Sequence, residues 1–173
     1  MNPEIAEILT KYHKDEMVSI FSDRPELLNE LLELALGNEA RYSWRAAWLL
    51  NSCIQPHDER IQKCISKIMH VLPGKKDGHQ RELLNMLMKL KIDEDTEGEL
   101  FDLCISLWEQ IHKSPSVRYT AFRIILSIIQ KYPEMAQEIS FLMQPQYLET
   151  LSPGIKRAVL MRYEEVTGAE KNS

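Results

Sequence analysis

The chain has 173 residues, of which 44% are hydrophobic and 27% charged, with a formal net charge of −5. That length suits one domain with a sizeable core, and the composition is that of an ordinary globular protein. Six glycines are too few for a fold of many tight β-turns or for a glycine-rich phosphate loop, and three dispersed cysteines (Cys53, Cys64 and Cys104) make no disulfide framework.

Taken in chain order, the elements read as helices. The opening MNPEIAEILTKYHKDEM carries acids early and has no uninterrupted apolar core, so it is not expected to be a secretory signal. Its Asn2-Pro3 reads as an N-cap followed by proline at the first helical position, with Ile5, Ile8, Leu9 and Tyr12 as the apolar side. A second helix over about 25–36 ends at Gly37, and a third begins at Ser43 and runs towards Ile54. Ile61, Cys64, Ile65, Ile68 and Leu72 form one stripe over 58–72, ended by Gly74. Gly37, Gly74 and Gly168 each follow an apolar run, as a left-handed C-terminal residue would.

Thr96-Glu97-Gly98-Glu99 has capping-box spacing ahead of Leu100, Leu103, Cys104, Leu107 and Ile111. Ser114-Pro115 then starts a helix whose stripe is Val117, Ala121, Ile124, Ile125 and Ile128, a further helix covers 134–143, and Ser152-Pro153 starts the last. The sum is about nine helices with short loops. The most apolar stretch, AFRIILSII, is interrupted by Arg123 and Ser127 and is too short to span a bilayer.

The two Ser-Pro starts open similar segments, SPSVRYTA and SPGIKRAV, 38 residues apart. Extending that register backward aligns Ala47, Leu83, Ala121 and Val159 at intervals of 36, 38 and 38 residues. Trp48, Leu84, Phe122 and Leu160 follow one place on, and Ile54, Leu90, Ile128 and Val166 form another row. A weaker copy begins at Ile5. A two-helix unit repeated at this period cannot bury its apolar faces alone and does so by stacking on its neighbours. The expected fold is all-α, an α-solenoid, with residues 1–168 as a single domain and 169–173 as a frayed tail.

Val117-Arg118-Tyr119-Thr120-Ala121-Phe122 resembles the helix opening of HEAT repeats, an apolar-basic-x-x-Ala-Ala pattern after a proline-containing turn. Ile155-Lys156-Arg157-Ala158-Val159-Leu160 is similar, and Ser43-Trp44-Arg45-Ala46-Ala47-Trp48 is a degenerate version. The resemblance, HEAT-like or armadillo-like, covers most of the chain. It implies a right-handed superhelix of about four to five helix pairs whose inner face binds a protein or a nucleic acid, and it does not imply an enzyme.

Departures from the repeat point to function. Trp44 occupies the place of Gln80, Arg118 and Lys156, polar side chains expected in water, so an exposed tryptophan beside Arg41, Tyr42 and Arg45 has the composition of a binding hot spot. Asn51 falls in the row of Leu87, Ile125 and Tyr163, where an amide must find partners. Arg162, in the row of Leu50, Met86 and Ile124, is expected to mark a polar outer face.

Charge is unevenly spread. Residues 1–40 hold three basic and nine acidic side chains, 41–91 hold ten and four, and 92–173 hold eight and thirteen. Within the basic middle, Arg60, Lys63 and Lys67 lie about a turn apart on one helix face. With Trp44, Lys75 and Lys76 they could form a groove for phosphates; a solvated helix face is the alternative. Some HEAT-like proteins act on alkylated DNA through such a face, but no aspartate stands clearly among these aromatics for base excision.

Catalytic patterns are missing: there is no phosphate loop, no Gly-x-Ser-x-Gly elbow and no His-Glu-x-x-His pair. Cys53-x3-His57 and Cys64-x5-His70 resemble zinc spacing only superficially, since the cysteines fall on core stripes. The acids Asp93, Glu94, Asp95, Glu97 and Glu99 suit a helix start rather than a calcium loop. The sequence therefore reads as a cytoplasmic, non-enzymatic module without metal or cofactor. It would bind a partner protein through Trp44, Arg41, Arg45, Arg60, Lys63 and Lys67. The alternatives are nucleic-acid binding or DNA repair by segment 41–91, and an enzyme site assembled from several repeats.

Overall fold

The computed structural model of the chain describes residues 2–168; the tail expected to fray lies outside the described residues. Among the described residues the regular structure is helical throughout, with no strand. None of the helices is long and apolar enough to cross a membrane. Contacts group the chain into two compact units, Met1–Ile92 and Asp93–Ser173.

The first unit contains α1 (Pro3–Lys11), α2 (Lys14–Asp23), α3 (Leu28–Leu36), α4 (Ser43–Cys53), α5 (Glu59–Gln62), α6 (Ile65–Val71) and α7 (Asp77–Leu87). The Asn2 side chain caps α1 by accepting from the Glu4 amide at 3.0 Å, and Pro3 follows it, as expected. The helix lying beside α4, however, is α2. It carries Met17 and Phe21 into the core, while Tyr12 at the end of α1 is 40% exposed. The weak first copy read from Ile5 onward thus missed a helix, because α2 shows only two strongly buried apolar residues.

Beyond α2, α4 packs on both α3 and α7, and α3 also meets α6. The single helix expected over 58–72 is broken between α5 and α6, where Cys64 donates to the Ile61 carbonyl at 2.8 Å, a tightened turn.

The second unit contains α8 (Glu94–Glu109), α9 (Pro115–Ile129), a 3-10 stretch (Pro133–Met143), α10 (Pro145–Leu148) and α11 (Pro153–Thr167). Here α9 packs on α8, on the 3-10 stretch and on α11. Ser114 and Ser152 hold the N-cap positions with proline next, as the repeated Ser-Pro predicts, although the Ser152 hydroxyl makes no bond to the first-turn amides. The cap of α8 is Asp93 rather than Thr96: its carboxylate accepts from the Thr96 amide and hydroxyl, both at 3.0 Å. Ile111 lies past the end of α8 and is 47% exposed.

One apolar row is buried throughout as the repeat requires. Ala47, Leu83, Ala121 and Val159 are each fully buried, the first two on neighbouring α4 and α7 and the last two on neighbouring α9 and α11. The row of Trp48, Leu84, Phe122 and Leu160 breaks on the last helix, where Leu160 is exposed. The glycines also depart from expectation: no described glycine has a positive φ, so the left-handed helix ends expected at Gly37, Gly74 and Gly168 are absent.

Long polar side chains close the helix ends instead. Gln80 and Arg118, expected in water, are 1% and 0% exposed. Gln80 donates to the Leu72 carbonyl at the end of α6, at 3.0 Å. Arg118 donates to the carbonyls of Trp108 (2.8 Å) and Tyr147 (2.7 Å) and to the Thr150 hydroxyl (2.6 Å). Its guanidinium also lies 4.7 Å from the Trp108 ring centroid, and that ring packs on Phe122 and donates to the Leu142 carbonyl at 2.9 Å.

Arg118→Ala would leave buried acceptors unpaired and is expected to lower stability by about 3 kcal/mol. Urea unfolding measures this. Arg118→Lys recovers only part, because a single ammonium cannot replace the planar fork.

Candidate functional site

Helix α3 ends in a short GNEA turn before α4, and the geometry of that turn builds a cleft. Gly37 is extended and its amide donates to both Glu33 (3.0 Å) and Leu34 (3.1 Å) carbonyls. A Cβ there would stand 3.3 Å from both oxygens, which is why glycine serves at this end without a positive φ. The amides of Tyr42 and Ser43 then donate to the Glu39 carbonyl at 2.8 and 2.9 Å, turning the chain into α4.

The last carbonyls of α3 receive donors from the turn before α7 and from its first turn. Lys75 Nζ reaches those of Leu36 (2.8 Å) and Gly37 (2.5 Å) and the Asn38 side-chain oxygen (2.6 Å). His79 Nε2 lies 2.7 Å from the Ala35 carbonyl. Burial holds both groups below their ordinary pKa, and for His79 it outweighs the raising effect of that hydrogen bond. The imidazole therefore favours its neutral form.

Against this base lies a cleft of about 410 Å³ lined by Glu39, Ser43, Trp44, Lys76, Gly78 and their neighbours. Trp44, on the first turn of α4, is 45% exposed. Its indole Nε1 approaches Gly78 so closely that a Cβ there would be 3.3 Å away, and the glycine gives the ring its seat on α7. Ser43 is 3% exposed, lines the same cleft, and its hydroxyl finds no partner.

Of the six residues expected to bind, Trp44 alone contributes to this lining. Arg41 is exposed in the turn before α4, with its guanidinium 5.6 Å from the Tyr42 ring centroid. Arg45 is half-buried on α4 and its Nε is enclosed without a partner. Arg60 is paired with Asp58 (2.6 Å) at the start of α5, Lys63 is exposed at the end of α5, and Lys67 on α6 is paired with Glu33 (2.7 Å). The structure does not gather them into one groove with Trp44.

Sequence reasoning missed Glu39, Ser43, Gly78 and His79. Only Gly78, a glycine inside a helix, carried a signal of close approach. Other singled-out groups have structural partners. The Asn51 amide donates to the Ala47 (3.2 Å) and Glu82 (2.8 Å) carbonyls and to the Glu82 carboxylate (3.1 Å), tying α4 to α7. Burial pushes the Cys53 thiol up to about 11 and raises that of Cys104 as well. Among the described residues no three His, Cys, Asp or Glu side chains form a group able to hold a metal.

Because His79 has a folded-state pKa below its unfolded value, the unfolded chain takes up the proton first as pH falls. Its contribution to stability is present above about pH 6.5 and is lost as pH drops below that value. His79→Gln is therefore expected to flatten the dependence of the urea midpoint on pH between about 7.5 and 5.

The HEAT repeat domain family model matches residues 2–162. No curated protein and no solved structure matches the chain. The match spans nearly all of the helices described above, and it agrees with the all-α, repeated helix-pair architecture and with the Val-Arg-x-x-Ala pattern at Val117. The chain belongs to the HEAT repeat family.

Proposed function

We propose that this protein is a non-enzymatic interaction module, working in the cytoplasm, that docks a partner protein at the Trp44 cleft. The observation that carries this reading is a tryptophan nearly half exposed at the rim of a preformed cleft and held on two helices. A rigid, amphipathic ring on a fixed scaffold offers contact area at little cost in conformational entropy, and such anchors dominate protein interfaces. Membership of a helical-repeat family, whose folds serve widely as interaction scaffolds, supports the same reading.

The basic middle of the chain supports nucleic-acid binding less well. Lys75 and Lys89 are turned into carbonyls at the ends of α3 and α4, and Arg60, Lys67 and Arg81 are paired with carboxylates. A phosphate backbone needs cations free to displace its counterions, so these five are poorly placed to follow one.

Trp44→Ala is expected to weaken capture of the partner at least tenfold while leaving the far-UV circular dichroism unchanged. Ile111→Ala, at another exposed apolar residue, should have no such effect. Equal capture by both variants would remove Trp44 as the anchor. Retention on a phosphate-bearing column at low salt, lost steeply as salt rises, would favour nucleic acid instead.

A further inference from the structure

The Trp44 cleft does not end at the turn after α3. Gly37, Asn38 and Glu39 also form the wall of an adjoining hollow of about 470 Å³ that runs along α3 and reaches Asn2 and Ile5 of α1. The ionisable residues lining this hollow are Glu30, Glu33 and Glu39, all exposed, with no basic residue among them. Glu30 accepts from the Asn2 side-chain Nδ2 at 2.8 Å, and Glu33 is met from outside by Lys67. On the far wall of the Trp44 cleft, Lys75 is already bonded to the α3 carbonyls and Lys76 is exposed.

We propose that the joined hollows dock a basic, extended segment of the partner protein, an inference that rests on reading the Trp44 cleft as a docking site. One arginine or lysine lies on the Trp44 indole with the Glu39 carboxylate as its counter-ion, and a further basic side chain enters the hollow of Glu30 and Glu33. A cation over an indole face is attracted by the ring quadrupole, and the neighbouring carboxylates add the opposite charge. The buried Ser43 hydroxyl, which lines the same cleft and has no partner within the protein, is a further polar group left for a ligand to satisfy. Two features besides the acidic cluster thus point the same way: an exposed aromatic seat and an unsatisfied buried hydroxyl.

The test uses the intact chain and two fluorescent ten-residue peptides, one alternating Arg and Ser, the other Glu and Ser. The basic peptide is expected to bind, to change tryptophan emission in the native chain but not in Trp44→Phe, and to lose affinity as salt rises. The double variant Glu30→Gln/Glu39→Gln should bind it about tenfold more weakly. Glu134→Gln/Glu138→Gln, which neutralises an exposed acidic pair in the other unit, should bind it as the native chain does.

Equal binding of the acidic peptide, an unchanged affinity in Glu30→Gln/Glu39→Gln, or an equal loss in the Glu134/Glu138 control would each overturn the inference. The last would mean attraction to net charge alone. If the peptides fail while Trp44→Ala still abolishes partner capture, only the basic-segment inference falls. If Trp44→Ala leaves partner capture intact, both readings fall.

Discussion

Every helix ends with four carbonyls that its own backbone cannot satisfy, and a stack of helix pairs places many of those ends against protein rather than water. In this chain the requirement is met by long polar side chains reaching across from elsewhere in the same unit. Lys75 serves the end of α3, Lys89 the end of α4, Gln80 the end of α6, and Arg118 the end of α8. A terminal carbonyl facing a neighbouring helix needs a donor with enough reach, and these side chains carry one. The repeat therefore holds together by two complementary means. Rows of small and branched apolar residues fill the space between helices, and polar tips close the helix ends.

This constraint also explains why the charge pattern misleads. A basic run read along the chain suggests a positively charged surface, but a lysine in a helix stack has two destinations. It can extend into water, or lay its stem along apolar surface and deliver its ammonium to a carbonyl. Lys75 and Lys89 take the second course, and burial holds the Lys75 ammonium below its ordinary pKa. Arg60 and Lys67 stay at the surface but are paired there with acids from the turn before α5 and from α3. What remains at the surface near Trp44 is acidic on the side of α3.

The cleft is a by-product of the same capping. Gly37 allows the α3 end to fold back on itself, and Lys75 and His79 fasten it to α7. That junction leaves a concavity at the first turn of α4, where the repeat places Trp44. A glutamine or arginine at this position of the repeat bonds a helix end and is buried, as Gln80 and Arg118 are. Trp44 makes no such bond; its ring rests on Gly78 and stays half in water.

The helical class, the period and the family were legible in the sequence because they depend on local regularities. Burial at Ala47, Leu83, Ala121 and Val159 follows from spacing along one helix and repetition along the chain. Trp44 was legible as an exception to its row. The destinations of Lys75, His79, Gln80, Arg118 and Asn51 were not, and neither were the second helix at α2 and the hollow of Glu30, Glu33 and Glu39. A polar tip several bonds from its backbone goes to whichever acceptor folding brings within reach, and that acceptor lies on another element. The apolar pattern determined that these helices stack; only the tertiary structure decided which charges the stack encloses and which it leaves for a partner.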